Sequence, residues 1–202
     1  GRLAVAGAVR HGPGFNRRGI VQTTNYLQPR TVPDGVPRYF VGRALLEAES
    51  LEAAVSILKE PGRAFPWHHN LASLPDGRYL SVETFPDRCD VLEPEGVYVH
   101  TNHVVHPALL AGADAPPDVP GRSSLSRWEV LGEAIAARAP RNAADALALL
   151  SLHEGRPEAP CRHPAGPDHG ATLGTAVFEA PALAMTLYHG NPCRGLSKRY
   201  EL

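Results

Sequence analysis

Hydrophobic and polar positions divide the chain into short strands, three helices and many turns. Gly19–Asn25 alternates apolar and polar residues and carries the β-branched Ile20, Val21, Thr23 and Thr24, which predicts a strand. Across Arg43–Lys59, Leu45, Leu46, Ala48, Leu51, Ala54, Val55 and Leu58 recur at helical spacing until Pro61-Gly62 ends the pattern. Four apolar runs follow at regular intervals: Trp67–Leu74, Tyr79–Thr84, Cys89–Leu92 and Val97–Thr101. Pro75-Asp76-Gly77, Pro86-Asp87 and Pro94-Glu95-Gly96 separate them, so they read as an antiparallel meander of four strands. Ser124–Ala139 predicts a second helix entered through Ser123-Ser124, and Asn142–Leu150 a third, capped by Asn142. A Pro/Gly/His-rich loop, Glu154–Gly170, leads to a closing hairpin of Thr172–Glu179 and Leu183–Tyr188 around Ala180-Pro181. Leu3–Val9 is a further short apolar run, and Ala111–Pro120 a Pro/Asp-rich loop. Strands, then helices, then strands again suit an α+β layered sheet better than a doubly wound one.

Composition narrows the function classes. The 202 residues are read as one domain with a core large enough to need no staples. Twenty Lys and Arg against 21 Asp and Glu leave no basic footprint for nucleic acid. No apolar run approaches the roughly 20 residues of a membrane helix, so no membrane partner is expected. Twenty prolines and 19 glycines favour turns over long helices. Cys89, Cys161 and Cys193 are odd in number and form no CxxC pair. That argues against a disulfide framework and a thiolate zinc site, and points to a reducing, cytoplasmic compartment. No cofactor is expected.

Candidate chemistry is sparse. His100, His103 and His106 stand in an HxxHxxH spacing, which neither a helix nor a strand turns to one face; paired hydrogen-bonding histidines compete with a metal site here. His68-His69 would point to opposite faces of a strand. Phosphate-binding glycine motifs and the G-x-S-x-G elbow are absent. Cys89 and Cys161 read as small core residues or as activated thiolates. Asn25 and Asn102 each close a strand-like run, where a neutral amide either donates toward a developing oxyanion or simply bonds its own turn.

Gly14-Phe15-Asn16-Arg17-Arg18-Gly19-Ile20, running on to Asn25-Tyr26-Leu27, resembles the G-x-N-x-x-G signature of cysteine-type N-terminal-nucleophile (Ntn) hydrolases. Within that group it resembles the acyl-CoA:6-aminopenicillanic acid acyltransferases (peptidase family C45), relatives of the bile salt and penicillin V hydrolases. Further stretches agree in the family's order: Gly42–Glu47, Trp67–Leu71, Asp76-Gly77, Val82–Thr84 and Pro86-Asp87. His100-Thr101-Asn102-His103, Ser123-Ser124-Leu125-Ser126-Arg127 and Gly190–Cys193 continue the series, so the resemblance covers nearly the whole chain. It implies an αββα sandwich, with Asn25 and Asn102 in one sheet, and an autoprocessed cysteine amidase or acyltransferase acting on a small acyl substrate such as an acyl-CoA. Asn25 would donate to the oxyanion, Asn102 would orient the N-terminal amine, and Arg127 would hold a carboxylate. Tyr26 and His103 would contact substrate.

One departure stands out: residue 1 is glycine, and none of the three cysteines matches the nucleophile position. The chain is therefore expected to be a C-terminal portion, with the nucleophile on another segment or chain. A binding or scaffolding protein of the same fold is the alternative, a metal-dependent hydrolase built on His100, His103 and His106 a third reading, and self-association is left open.

Overall fold

The computed structural model describes residues 14–111, 120–167, 170–180 and 182–201. The apolar run Leu3–Val9 and most of the loop Ala111–Pro120 lie outside the described residues. The chain divides into two compact units, one of Gly1–Glu95 with Asn102–Pro120 and one of Gly96–Thr101 with Gly121–Leu202.

In the first unit, β1 (Gly14–Phe15), β2 (Ile20–Tyr26), β3 (Trp67–Ser73), β4 (Arg78–Thr84) and β5 (Cys89–Leu92) form one antiparallel sheet in chain order. The turn into β2 explains the G-x-N-x-x-G motif. Asn16 Oδ1 accepts from the amides of Arg18 and Ile20, while Gly19 adopts φ +77°. A Cβ on Gly19 would lie 2.6 Å from Pro75 Cδ, so both the backbone and the space require glycine.

The helix expected over 43–59 is two helices, α1 (Arg38–Leu45) and α2 (Leu51–Lys59). Asn16 Nδ2 donates to the carbonyl of Ala48, capturing an acceptor that a continuous helix would need. Ser50 is extended and caps α2 by accepting from Ala53 N at 3.1 Å. Leu45, Ala48, Leu51, Ala54 and Leu58 then pack on Leu71, Leu80 and Val82 as the main core.

Strand register makes the sheet two-faced. Leu71 pairs with Leu80 and His69 with Val82, which puts the apolar set under the helices. On the other face Asn25 pairs with His68, His68 with Glu83, and Glu83 with Asp90. A short helix, α3 (Pro107–Leu110), follows, and Val104 and Leu109 pack with Leu27 and Phe85 as a second small core.

The second unit contains α4 (Arg122–Ala137), α5 (Ala143–Leu150) and an antiparallel sheet of β6 (Gly174–Glu179), β7 (Ala184–His189) and β8 (Ser197–Glu201). Asn142 caps α5 as the sequence predicts, accepting from Asp145 N at 2.9 Å. Three expectations are corrected. Ser123-Ser124 lies inside α4, whose N-cap is Gly121. Strand β8 adds a third member to the closing hairpin. Val97–Thr101 is not a strand: Thr101 bonds Ser124 Oγ at 2.9 Å and donates to its carbonyl, so this segment is held to a helix rather than to a ladder. Among the described residues, no helix is long and apolar enough to cross a membrane.

Candidate active site

The polar face of the first sheet is buried, which forces its side chains to satisfy one another. Starting from Asp90, an unbroken chain of hydrogen bonds links four strands, β5, β4, β3 and β2. Asp90 Oδ2 meets His106 Nδ1 at 2.9 Å, and His106 Nε2 meets Ser81 Oγ at 2.8 Å. Ser81 Oγ meets His68 Nε2 at 2.8 Å, and His68 Nδ1 reaches Asn25 Oδ1 at 2.8 Å. His68, Ser81 and His106 are fully buried.

The acceptor at the end sets one direction. Asn25 Oδ1 only accepts, so His68 donates from Nδ1. The Ser81 hydroxyl has one proton for two imidazole nitrogens, so it donates to one of His68 Nε2 and His106 Nε2 and accepts from the other, while His106 Nδ1 faces the Asp90 carboxylate. Among the described residues, Asn25 Nδ2 has no protein acceptor and remains as a fixed donor on a half-buried side chain. Glu83, also fully buried, holds the segment carrying His106: its carboxylate accepts from Val105 N at 2.8 Å and His106 N at 3.3 Å.

Asn102 converges on the same strand end. It lies in a bend rather than on a strand, correcting the expectation that both asparagines share a sheet. Its Nδ2 donates to the carbonyl of Tyr26 at 2.9 Å, next to Asn25 in the chain. Tyr26 is half-buried and meets Trp67 edge-on at 5.3 Å; Arg38 stacks over Trp67 at 4.1 Å. His103 is buried within the loop between Asn102 and α3. A cleft of about 370 Å³ lined by Pro29, Arg30, Pro66, Phe85 and Arg88 opens just beyond β2 and is lined by neither asparagine.

Arg127 belongs to the second unit and sits in the second turn of α4. Its Nε donates to Ser123 O at 3.0 Å, and Arg162 Nη1 donates to Ser123 Oγ at 3.3 Å. Burial, then the neighbouring Arg162 charge, pulls the Arg127 pKa down to about 10. The Glu158 carboxylate acts on Arg127 in the opposite sense, so the two guanidinium groups at the Ser123 hydroxyl have an anionic neighbour within the second unit.

The His100, His103 and His106 triplet does not gather as ligands among the described residues. Both His106 ring nitrogens are engaged by Asp90 and Ser81, and His100 Nδ1 bonds the carbonyl of Thr101. The relay residues His68, Ser81, Asp90 and His106 were not singled out together from the sequence. Polar side chains at alternate positions of β3 and β4, His68 with Asn70 and Ser81 with Glu83, carry a signal for His68 and Ser81 but not for Asp90 and His106.

The family model for acyl-coenzyme A:6-aminopenicillanic acid acyl-transferases matches residues 3–194. The chain belongs to that family. Its mixed helices and antiparallel sheets are accordingly an α+β, Ntn-hydrolase-like fold. No protein in the curated set matches the chain. Membership bears out the resemblance carried by the Gly14–Ile20 and His100–His103 motifs, and the structure gives these motifs physical work: Asn16 builds a turn, Thr101 ties to α4, and Asn102 ties to β2.

Proposed function

We propose that this chain supplies the oxyanion donor and the positioning groups of a cysteine-type Ntn site that cleaves or transfers acyl groups from amides or thioesters, including acyl-CoA. The observation that carries the reading is the Asn25 carboxamide, whose oxygen is held by His68 so that its Nδ2 is left to donate. A donor fixed before reaction stabilises charge developing on a carbonyl oxygen without reorganising. Asn102, fixed through the Tyr26 carbonyl, orients the attacking amine and thiol. The thiolate comes from a cysteine outside these 202 residues. Cys89 is a poor substitute: β5, on which it lies, is separated from β2 by β3 and β4.

The chemistry is ordinary acyl transfer. The N-terminal amine takes the thiol proton, the thiolate adds to the carbonyl carbon, the tetrahedral oxyanion accepts a hydrogen bond from Asn25 Nδ2, and the ammonium returns that proton to the amine or thiol as it leaves. Water or an acceptor amine then attacks the acyl-enzyme.

The test uses the full-length protein with an acyl-CoA and an amide substrate. Replacing an oxyanion donor costs on the order of 10²–10³ in rate, so Asn25→Ala should lower kcat by that order, and Asn102→Ala should lower kcat by loosening the amine and thiol it orients. Asn70→Ala, on the same sheet face but bonded to Thr23, should change kcat less than about tenfold. Unchanged kcat in Asn25→Ala overturns the assignment. Binding of an acyl-CoA with no turnover favours a binding protein of this fold, and turnover abolished by Cys89→Ser alone identifies a different nucleophile.

A further inference from the structure

Four soft ligand atoms converge in the second unit. They are on His153, just after α5; on Cys161 and His163 in the loop that follows; and on Cys193, in the 3₁₀ turn Pro192–Arg194. All four ligand atoms lie within 4.8 Å of one another. The separations are 3.7 Å from Cys161 Sγ to Cys193 Sγ, 3.7 Å from Cys161 Sγ to His163 Nε2, 3.5 Å from Cys193 Sγ to His163 Nε2, and 3.1 Å between the two histidine Nε2 atoms.

Four of the six edges match a tetrahedron around one ion, and the two from His153 to the sulfurs stay within 4.8 Å. Zinc bonds of about 2.3 Å to sulfur and about 2.05 Å to nitrogen require edges of about 3.8 Å for S···S, about 3.6 Å for S···N and about 3.3 Å for N···N. A disulfide needs about 2.05 Å between the sulfurs, and both cysteines are free here. We propose that His153, Cys161, His163 and Cys193 form a Cys2His2 site for a zinc ion. Four protein ligands leave no open position for water or substrate, so the site is structural and not catalytic. Two thiolates and two neutral imidazoles cancel the charge of the ion, and the two thiol protons go to solvent on binding.

The surroundings support the same role. Asn191 is buried; its Nδ2 lies 3.4 Å from Cys161 Sγ and donates to Arg162 O at 2.7 Å, an outer contact that steadies a thiolate. Cys161 N donates to Leu152 O and Thr172 N to Arg162 O, so backbone bonds hold the loop on both sides of the ligands. The ion would clamp the loop after α5, which has no helix or strand among its described residues 154–167 and 170, to the end of α5 and to the turn between β7 and β8. It also reverses the expectation drawn from the missing CxxC: ligands spaced His-x₇-Cys-x-His and then 30 residues on to Cys193 are gathered by folding, not by local sequence.

The experiment measures metal in the full-length protein, reduced, reconstituted with zinc and freed of excess. About one zinc per chain is expected. Replacing zinc by cobalt(II) should give the visible bands of a tetrahedral ion and a thiolate-to-cobalt band in the near ultraviolet. The cobalt spectrum is read on the unaltered protein, so it stands even if a variant fails to fold. Cys193→Ser, at an exposed position, should lose the thiolate band or the ion, while Cys89→Ser keeps both. Asn191→Ala should weaken zinc affinity about 10- to 100-fold. Less than about one zinc per ten chains after reconstitution overturns the proposal, as does an octahedral cobalt spectrum or a zinc content that survives loss of both Cys161 and Cys193.

Discussion

Removing the Ser81 hydroxyl interrupts the relay at its middle. Ser81 Oγ stands 2.8 Å from His68 Nε2 and 2.8 Å from His106 Nε2, and all three residues are fully buried. Ser81→Ala deletes both hydrogen bonds and adds almost no void, so the effect is the desolvation of two imidazole nitrogens. Each such loss costs about 1–3 kcal/mol, which gives about 2–6 kcal/mol in total. For a chain of this size, where 1 kcal/mol moves Tm by about 2–4 °C, the expected drop is about 4–24 °C. Urea unfolding followed by far-UV circular dichroism and by fluorescence of the half-buried Trp67 reads it out. Ser56→Ala is the matched control: its hydroxyl donates to the Glu52 carbonyl on the exposed side of α2, and its loss should stay within about 0.5 kcal/mol. If Ser81→Ala costs no more than Ser56→Ala, the relay is not a connected network and the fixed orientation of Asn25 loses its cause.

Two further predictions concern the same unit. His69 is buried on the helix side of the sheet; burial, with the Arg38 and Arg63 charges, lowers its pKa from 6.5 to about 3. The unfolded chain therefore binds a proton below pH 6.5 that the native state refuses. That contribution is complete above pH 6.5 and is lost as pH falls toward about 3, at up to about 1.4 kcal/mol per pH unit. His69→Leu should flatten the unfolding free energy measured between pH 6 and pH 4, and an unchanged slope refutes the buried neutral imidazole. Gly19→Ala faces both a φ of +77° and Pro75 Cδ at 2.6 Å, whereas Gly77→Ala faces a φ of +64° with open space around it. The second should cost about 1–2 kcal/mol and the first clearly more by thermal unfolding; equal losses mean that Pro75 yields.

Much of the architecture was legible along the chain because it depends on local chemistry. Alternation marked β2, the Pro-Asp-Gly turn marked the β3–β4 hairpin, and Asn142 marked the start of α5. Ordered motifs such as His100–His103 pointed to the family, and His68 and His69 were read to opposite faces, as the register has them. What failed was wherever a distant residue overrode a local pattern. The apolar periodicity of 43–59 continues through residues 46–50, yet Asn16, more than 30 residues away, takes the Ala48 carbonyl and the helix breaks. Val97–Thr101 has strand composition, yet Thr101 is claimed by Ser124. The relay from Asp90 to Asn25 needs a strand register and the return of residues 103–106 over the sheet, and the cluster of His153, Cys161, His163 and Cys193 needs a loop folded back on a turn. Residue types and spacing carry propensity, which is a short-range quantity. Which donor meets which acceptor is decided by burial, because a polar atom removed from water must find its partner wherever the packed chain brings one.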